Sequence, residues 1–344
     1  MSPDRGKSIQ GPEAVEVAEI TKKFGPVTAV NNVSFSVHEG EFFGFLGPNG
    51  AGKTTLIRML TTLLKPTSGS ASVAGYDVAS HPHDVRLNIG VVPQAMTSDL
   101  DLTGSENMDI YGRFYGLSRA EREERSKYLL DMVGLSARAG DLAATYSGGM
   151  RRRLEVARVL VHRPRILFLD EPTIGLDPQS RHVVWDFLRK LREEDGKITI
   201  FLTTHYMEEA ETLSDRVAIM DAGNIIALGS LAELKSRLSG NDIILLRIGN
   251  PSPDIIAAAR ELPFVHKIAE EGILIRVYVD SGAHNLPMLM DRIRSAGGQI
   301  QSVTIHEQSL EDVFIHYTGK SIREEEAKKV SFLLGAGVPR KWGR

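Results

Sequence analysis

The chain has 344 residues, 42% of them hydrophobic and 25% charged, with a formal charge of -3; this is the composition of an ordinary globular protein of about two domains and argues against a dedicated polyanion binder. It contains no Cys, which excludes disulfides, cysteine-based zinc sites and thiol catalysis. The opening stretch MSPDRGKSIQGPEA lacks an apolar signal-peptide core, and no apolar run reaches the roughly 18 to 20 residues that a bilayer span needs, so work at a membrane would require another chain to supply the span.

Residues 1 to 13 are polar and contain Pro and Gly, and a flexible arm is expected there, ahead of a first domain over 14 to 240. Alternation in Val15-Glu16-Val17 and in Val33-Ser34-Phe35-Ser36-Val37 predicts strands, and the run from Glu41 to Leu46 predicts a buried strand. That run leads into GPNGAGKTT: Gly47, Pro48, Asn49, Gly50, Ala51, Gly52, Lys53, Thr54 and Thr55. Two glycines four residues apart, then Lys and a hydroxyl residue, form the phosphate-binding pattern. The glycines let several N–H groups turn towards one anion, and a helix starting near Lys53 adds its positive end. Lys53 is a mobile cation for the outer phosphates, and Thr54 offers a hydroxyl to Mg²⁺.

Leu100 to Val161 reads mostly helical, with breaks at Gly116, Gly134 and Gly140, and is expected to be a helical insert. Apolar runs at Ile166 to Leu169 and Ile198 to Leu202, with a helical stretch from Gln179 to Leu191 between them, carry the rhythm of a parallel sheet. The first run ends in Asp170 and Glu171; delivered beside the phosphate loop, Asp170 can hold Mg²⁺ with Thr54 and Glu171 can position the attacking water. The alternative is a strand followed by two solvated charges.

Past Gly240 the strands expected at Ile243 to Ile248, Val265 to Ala269, Ile273 to Val279 and Ile300 to Ile305 alternate with helices near Pro253 to Glu261 and Leu286 to Ser295. This order suggests a small ferredoxin-like α+β domain over 241 to 320, closed by a helix at Leu310 to Tyr317. A flexible tail is expected over 321 to 344.

The phosphate loop and the acidic pair belong to a longer series that resembles the ATP-binding cassette (ABC) family from about Val15 to Leu238. Phe24, in KKFG, matches the family's adenine-stacking position. Gln94, in VVPQ, matches the glutamine that links metal and water to the transport partner. Ser147, Gly148 and Gly149, in YSGGM, match the signature loop, Asp177 lies in the loop after the acids, and His205, in FLTTHYMEEAE, matches the switch histidine. Tyr146 and Met150 stand where the family usually has Leu and Gln, and Phe24 where it has Tyr; the serine, the glycines and an aromatic face are kept. With DLTGSENM and SLEDVFIHYTG, the chain looks like the drug-exporter branch that includes daunorubicin-resistance ATPases.

The resemblance implies an α/β phosphate-loop NTPase cassette, with a mixed sheet core and a helical subdomain, followed by the small domain. It implies ATP and Mg²⁺ as ligands, Lys53, Glu171, His205 and Gln94 as catalytic groups, and Thr54, Gln94 and Asp170 around the metal. The partners implied are a second copy in an ATP-dependent head-to-tail dimer and a separate membrane permease, at the cytoplasmic face of the membrane, with no nucleic acid. An importer ATPase and a soluble cassette ATPase of DNA repair or translation are the rival readings.

Each residue also has a structural reading. Ser147 can cap a helix, and Asp177-Pro178 is an N-cap followed by Pro at the first helical position. Phe24 is a core residue by default, a lone His after a strand is more often structural, and the Arg151 to Arg153 run is expected to be a solvated helix face.

Overall fold

The computed structural model describes residues 12–195, 198–236, 242–306 and 309–318. The expected arm, apart from its last two residues, and the expected tail lie outside the described residues. The chain divides into two compact units, with the break after Ser230.

In chain order the first unit contains β1 (Glu13–Phe24), β2 (Val27–His38), β3 (Phe42–Leu46), α1 (Lys53–Leu60), β4 (Ser68–Val73), β5 (Tyr76–Asp77), α2 (Pro82–Asn88) and β6 (Ile89–Val92). There follow α3 (Gly104–Phe114), α4 (Arg119–Met132), α5 (Gly148–Val159), β7 (Ile166–Asp170), α6 (Pro178–Asp195), β8 (Thr199–Thr204), α7 (Met207–Leu213), β9 (Arg216–Asp221) and β10 (Asn224–Ser230). One antiparallel sheet runs β2-β1-β4-β5; a second runs β10-β9-β3-β8-β7-β6, parallel except for β10.

β3, β7 and β8 are buried at every position, which is why each carries a short apolar run, that of β8 (Ile200 to Leu202) flanked by buried threonines. Because they are parallel, their carboxyl ends open on one edge, where an open α/β sheet receives its ligands. The insert helices start on their own side chains: Thr103 with Glu106, and Ser118 with Glu121, form reciprocal capping boxes.

The second unit contains α8 (Leu231–Ser236), β11 (Asp242–Ile248), α9 (Pro253–Arg260), β12 (Val265–Glu271), β13 (Leu274–Val279), α10 (Gly282–Ser295), β14 (Ile300–His306) and α11 (Leu310–Thr318). Its sheet is ordered β12-β13-β11-β14 and is antiparallel throughout, the split-βαβ arrangement of a ferredoxin-like unit. Ile244, Leu246 and Val277 from the sheet and Ile255, Leu289 and Ile293 from α9 and α10 form its core.

Candidate functional site

The loop that follows β3 rises from an aromatic floor. Phe43 and Phe45 pack on Phe201 of β8 with ring centroids 5.6 and 5.7 Å apart, and Phe35 of β2 stacks on Phe43 at 5.5 Å. Gly52 takes a φ of +113°, and a Cβ there would stand 2.4 Å from the Ala29 carbonyl oxygen, so glycine is required just before α1. Gly47 N–H donates to Thr204 O at 3.2 Å and Gly223 N–H to Ala51 O at 2.9 Å, which ties the loop to β8 and to the β9–β10 turn. Pro48 and Ala51 are buried in it, Asn49 and Gly50 are exposed, and Thr55 is half-buried in the first turn of α1.

Lys53 is 4% exposed; its Nζ donates to Gly47 O at 2.6 Å and Pro48 O at 3.1 Å and lies 3.2 Å from Glu171 Oε1. Thr54 Oγ1 donates to Asp170 Oδ1 at 3.2 Å, and Thr203 Oγ1 donates to the same oxygen at 2.6 Å. Glu171 has a φ of +48°, a left-handed conformation that costs a non-glycine residue about 1–3 kcal/mol and is held here by its N–H donating to Thr203 O at 3.0 Å. Its Oε2 lies 3.2 Å from His205 Nδ1. Burial pushes the Glu171 carboxyl up, but the His205 hydrogen bond and the Lys53 ammonium outweigh it and hold the group below its ordinary value. The result is an ionised carboxylate set between an ammonium and an imidazole, neither of them more than 10% exposed.

Lys53, Thr54, Asp170, Glu171 and His205 thus form one hydrogen-bonded cluster. The other expected residues stand on separate elements. Ser147 is exposed and caps α5, its Oγ accepting from Met150 N–H at 3.2 Å; Gly148 opens that helix and Gly149 is buried. Asp177 is exposed and accepts from Ser180 N–H at 2.9 Å at the start of α6. The capping readings of Ser147 and Asp177 are therefore realised, on side chains that still face solvent. Gln94 is exposed just after β6, with its carbonyl held by Arg152. Phe24, 48% exposed at the end of β1 with Lys22 Nζ 5.2 Å from its ring centroid, is a surface ring and not a core one.

A second expectation is corrected as well. The Arg151 to Arg153 run is not a solvated face, because Arg152 is 1% exposed and its guanidinium is taken up by backbone carbonyls of neighbouring loops. Sequence reasoning also missed Thr203, which grips both Asp170 and Glu171; its only signal is a hydroxyl residue at the carboxyl end of a buried strand.

A phosphate loop, an acid-tipped neighbouring strand, a capped SGG helix in an inserted helical region and a histidine after β8 together define an ATP-binding cassette. A family model described as ABC transporter matches residues 30–174, and one described as ATP-binding protein DrrA1-3-like, C-terminal domain, matches residues 229–318. The linearmycin resistance ATP-binding protein LnrL of Bacillus subtilis is 37% identical over 313 residues, covering 90% of this chain and all of that relative. The daunorubicin/doxorubicin resistance ATP-binding protein DrrA of Streptomyces peucetius is 40% identical over 91% of this chain and 94% of its own length. Nod factor export ATP-binding protein I of Ralstonia nicotianae is 38% identical over 93% and 98%. Among solved structures, a dimeric ATP-binding cassette in a post-hydrolysis state bound to ADP and Pi aligns with a TM-score of 0.57 at 30% identity, covering 63% of this chain and 98% of that one. The chain belongs to the ATP-binding subunits of ABC transporters, in the branch of the drug-resistance ATPases, and its reaction is ATP hydrolysis coupled to transport.

Proposed function

We propose that this chain is the ATPase subunit of an exporter for drug-like or other hydrophobic molecules, and that it works as an ATP-dependent pair on a separate membrane permease. The observation that carries the hydrolytic part is the buried Lys53–Glu171–His205 arrangement, with Thr54 and Asp170 alongside. The export part rests on the likeness to resistance and export ATPases along nearly the whole chain. Among the described residues no helix is long and apolar enough to cross a membrane; the place proposed for the chain, at the cytoplasmic face on the permease, rests on the likeness to transporter ATP-binding subunits.

The loop N–H groups and the start of α1 receive the β- and γ-phosphates, and Lys53 turns from its own loop carbonyls towards them. Phe24 offers an exposed ring to adenine. Thr54 and Asp170 are oxygen ligands already in hydrogen-bonding contact, a set that fits the hard, oxygen-preferring Mg²⁺; they would hold the ion, with the exposed Gln94 as a further oxygen. When bound, the ion would neutralise charge on the phosphate oxygens. Glu171 orients the water and accepts its proton, and His205 holds the Glu171 carboxylate and reaches the γ-phosphate. The signature residues Ser147, Gly148 and Gly149 complete the site of the partner copy, with Asp177 beside them, so ATP stabilises the closed pair and hydrolysis releases it.

The test is to express the chain with its permease in a drug-sensitive host and follow doxorubicin accumulation. Accumulation should fall with the wild-type pair and return to the empty-vector level with Lys53→Ala. Equal accumulation with both would contradict export of such molecules.

A further inference from the structure

Arg152 is a buried cation whose hydrogen bonds go to the backbone of Pro93, Gln94 and Glu171 and to none of the side chains assigned to the phosphates, the metal or the water. It lies one turn into α5, the helix that Ser147 caps, and is 1% exposed. Its Nη1 donates to Pro93 O at 2.8 Å, and its Nη2 to Gln94 O at 2.9 Å and to Glu171 O at 3.4 Å. Three residues on, the fully buried Glu155 accepts from Thr97 N–H at 2.7 Å, from Thr97 Oγ1 at 3.0 Å and from Ser98 N–H. A further three residues on, Arg158 donates through Nη1 to Thr97 O at 3.0 Å and pairs with Glu155 Oε2 at 2.7 Å.

Residues three apart share one side of a helix, so α5 turns a seam of two cations and one anion towards the 93–98 segment. Burying a guanidinium is costly unless its donors are satisfied. Its planar fork is the side chain suited to holding two neighbouring carbonyls at once, which an ammonium cannot do in the same geometry.

We propose that Arg152 is a positioning residue that fastens the Gln94 loop and the Glu171 backbone to the signature helix of the same protomer, and so links the two ATP sites of the pair. The proposal rests on the composite-site reading. In that reading Ser147 and Gly149 meet the nucleotide on the partner's phosphate loop, whereas Gln94 and Glu171 serve the nucleotide on this chain's own loop. Arg152 spans the two within a single side chain. A shift of α5 when the partner's ATP arrives pulls on Gln94 O and Glu171 O together. Turnover is then cooperative in ATP, and a protomer whose signature loop is empty holds its own Glu171 out of register.

The experiment uses the full chain with its permease in vesicles and compares wild type, Arg152→Met and Arg152→Lys. Arg152→Met should lower kcat at least about tenfold, change the KM for ATP less than about threefold and bring a Hill coefficient above 1 down to about 1. Binding of mant-ATP to the isolated chain should stay within about twofold, because the hydrogen bonds of Arg152 go to Pro93, Gln94 and Glu171 and not to the phosphate loop. Arg152→Lys, whose single nitrogen cannot span the Pro93, Gln94 and Glu171 carbonyls as the planar fork does, should lie between. Should Arg152→Met fail to fold, Arg152→Lys decides: a kcat reduced at least about threefold with unchanged mant-ATP affinity supports the proposal, and wild-type kcat and Hill coefficient overturn it. Parallel loss of kcat, mant-ATP affinity and thermal stability would show a merely structural residue and would also overturn it. Glu171→Gln is run alongside for its mass in Mg-ATP. If it stays monomeric, the composite-site reading fails and takes the proposal with it. If it dimerises while Arg152→Met keeps wild-type kcat and Hill coefficient, the proposal alone fails.

Discussion

Lys53 Nζ and Glu171 Oε1 lie 3.2 Å apart with both side chains almost fully buried, so the cation of the phosphate loop and the carboxylate at the tip of β7 form one electrostatic unit. In the function proposed, an arriving γ-phosphate would compete with Glu171 for that ammonium, and nucleotide binding would free the carboxylate. Lys53→Ala should lower ATP affinity at least about a hundredfold, because it removes the cation facing the outer phosphates. A mant-ATP titration checks this, and affinity near wild type would refute the role given to Lys53.

Glu171→Gln should leave ATP binding in place while turnover falls at least about a hundredfold, the pattern of a group needed in the transition state and not for binding. Steady-state phosphate release measures it. A rate within a few fold of wild type would remove Glu171 from the mechanism.

Gly149 sits where α5 meets α6. A Cβ built on it would come 2.7 Å from Ser180 Oγ and 2.9 Å from Ser180 Cβ. Gly149→Ala should therefore destabilise the chain by about 1–3 kcal/mol despite the better helix propensity of Ala. Gly149→Ala with Ser180→Gly should recover most of that loss, since the next atom met is the Ser180 Cα at 3.8 Å. Denaturant unfolding of the single and double variants distinguishes this from a signature-loop defect, which Ser180→Gly would not repair.

His162 is a built-in acid sensitivity. Burial pushes its imidazole down to about 4, against a hydrogen bond between Nε2 and Ile89 O, while the ring stacks on Tyr115 at 3.6 Å. The unfolded chain takes up the proton first as pH falls through 6.5, so the stability contributed by neutral His162 is full above that pH and is lost towards pH 4. Between pH 7 and pH 5 the loss should be about 2 kcal/mol, and His162→Gln should remove about that much of the pH dependence. An unchanged pH dependence in the variant would contradict it.

Glu209 works in the opposite sense. Burial raises its carboxyl, against hydrogen bonds from Thr204, Trp185 and Thr173, so ionisation is easier in the unfolded chain and costs stability as pH rises above the ordinary carboxylate range. Glu209→Gln keeps an oxygen for Trp185 and Thr173 without the charge. Its melting temperature relative to wild type should increase from pH 5 to pH 8; a constant or shrinking difference would contradict this.

Much of the site was legible because its parts lie in contiguous sequence. β3 and β7 are continuous apolar runs, one ending in the glycine-rich loop and the other in two acids, and neither pattern depends on what packs beside it. What escaped depends on neighbours. β4 reads Ser-Gly-Ser-Ala-Ser-Val and buries only Ala71 and Val73, too little pattern to mark a strand before its pairing with β1 is known. α10 starts at Gly282, four residues before the expected Leu286, because Gly282 N–H is taken by Asp242 Oδ2 at 2.7 Å and Pro287 is accommodated inside the helix; both residues read locally as breakers. Arg152 looks solvated in a run of three arginines, and only the carbonyls of Pro93 and Gln94 make its burial sensible.

The pairing proposed for this chain, in which ATP joins two copies through Ser147, leaves either copy alone with half a site. Light scattering coupled to size exclusion, run on Glu171→Gln with and without Mg-ATP, measures it most directly. The expected result is a dimer with Mg-ATP, a monomer without it, and a monomer under both conditions when Ser147→Arg is added to Glu171→Gln, with mant-ATP binding to that double variant retained. A Glu171→Gln chain that stays monomeric in Mg-ATP, or a dimer that persists with Ser147→Arg, would contradict it.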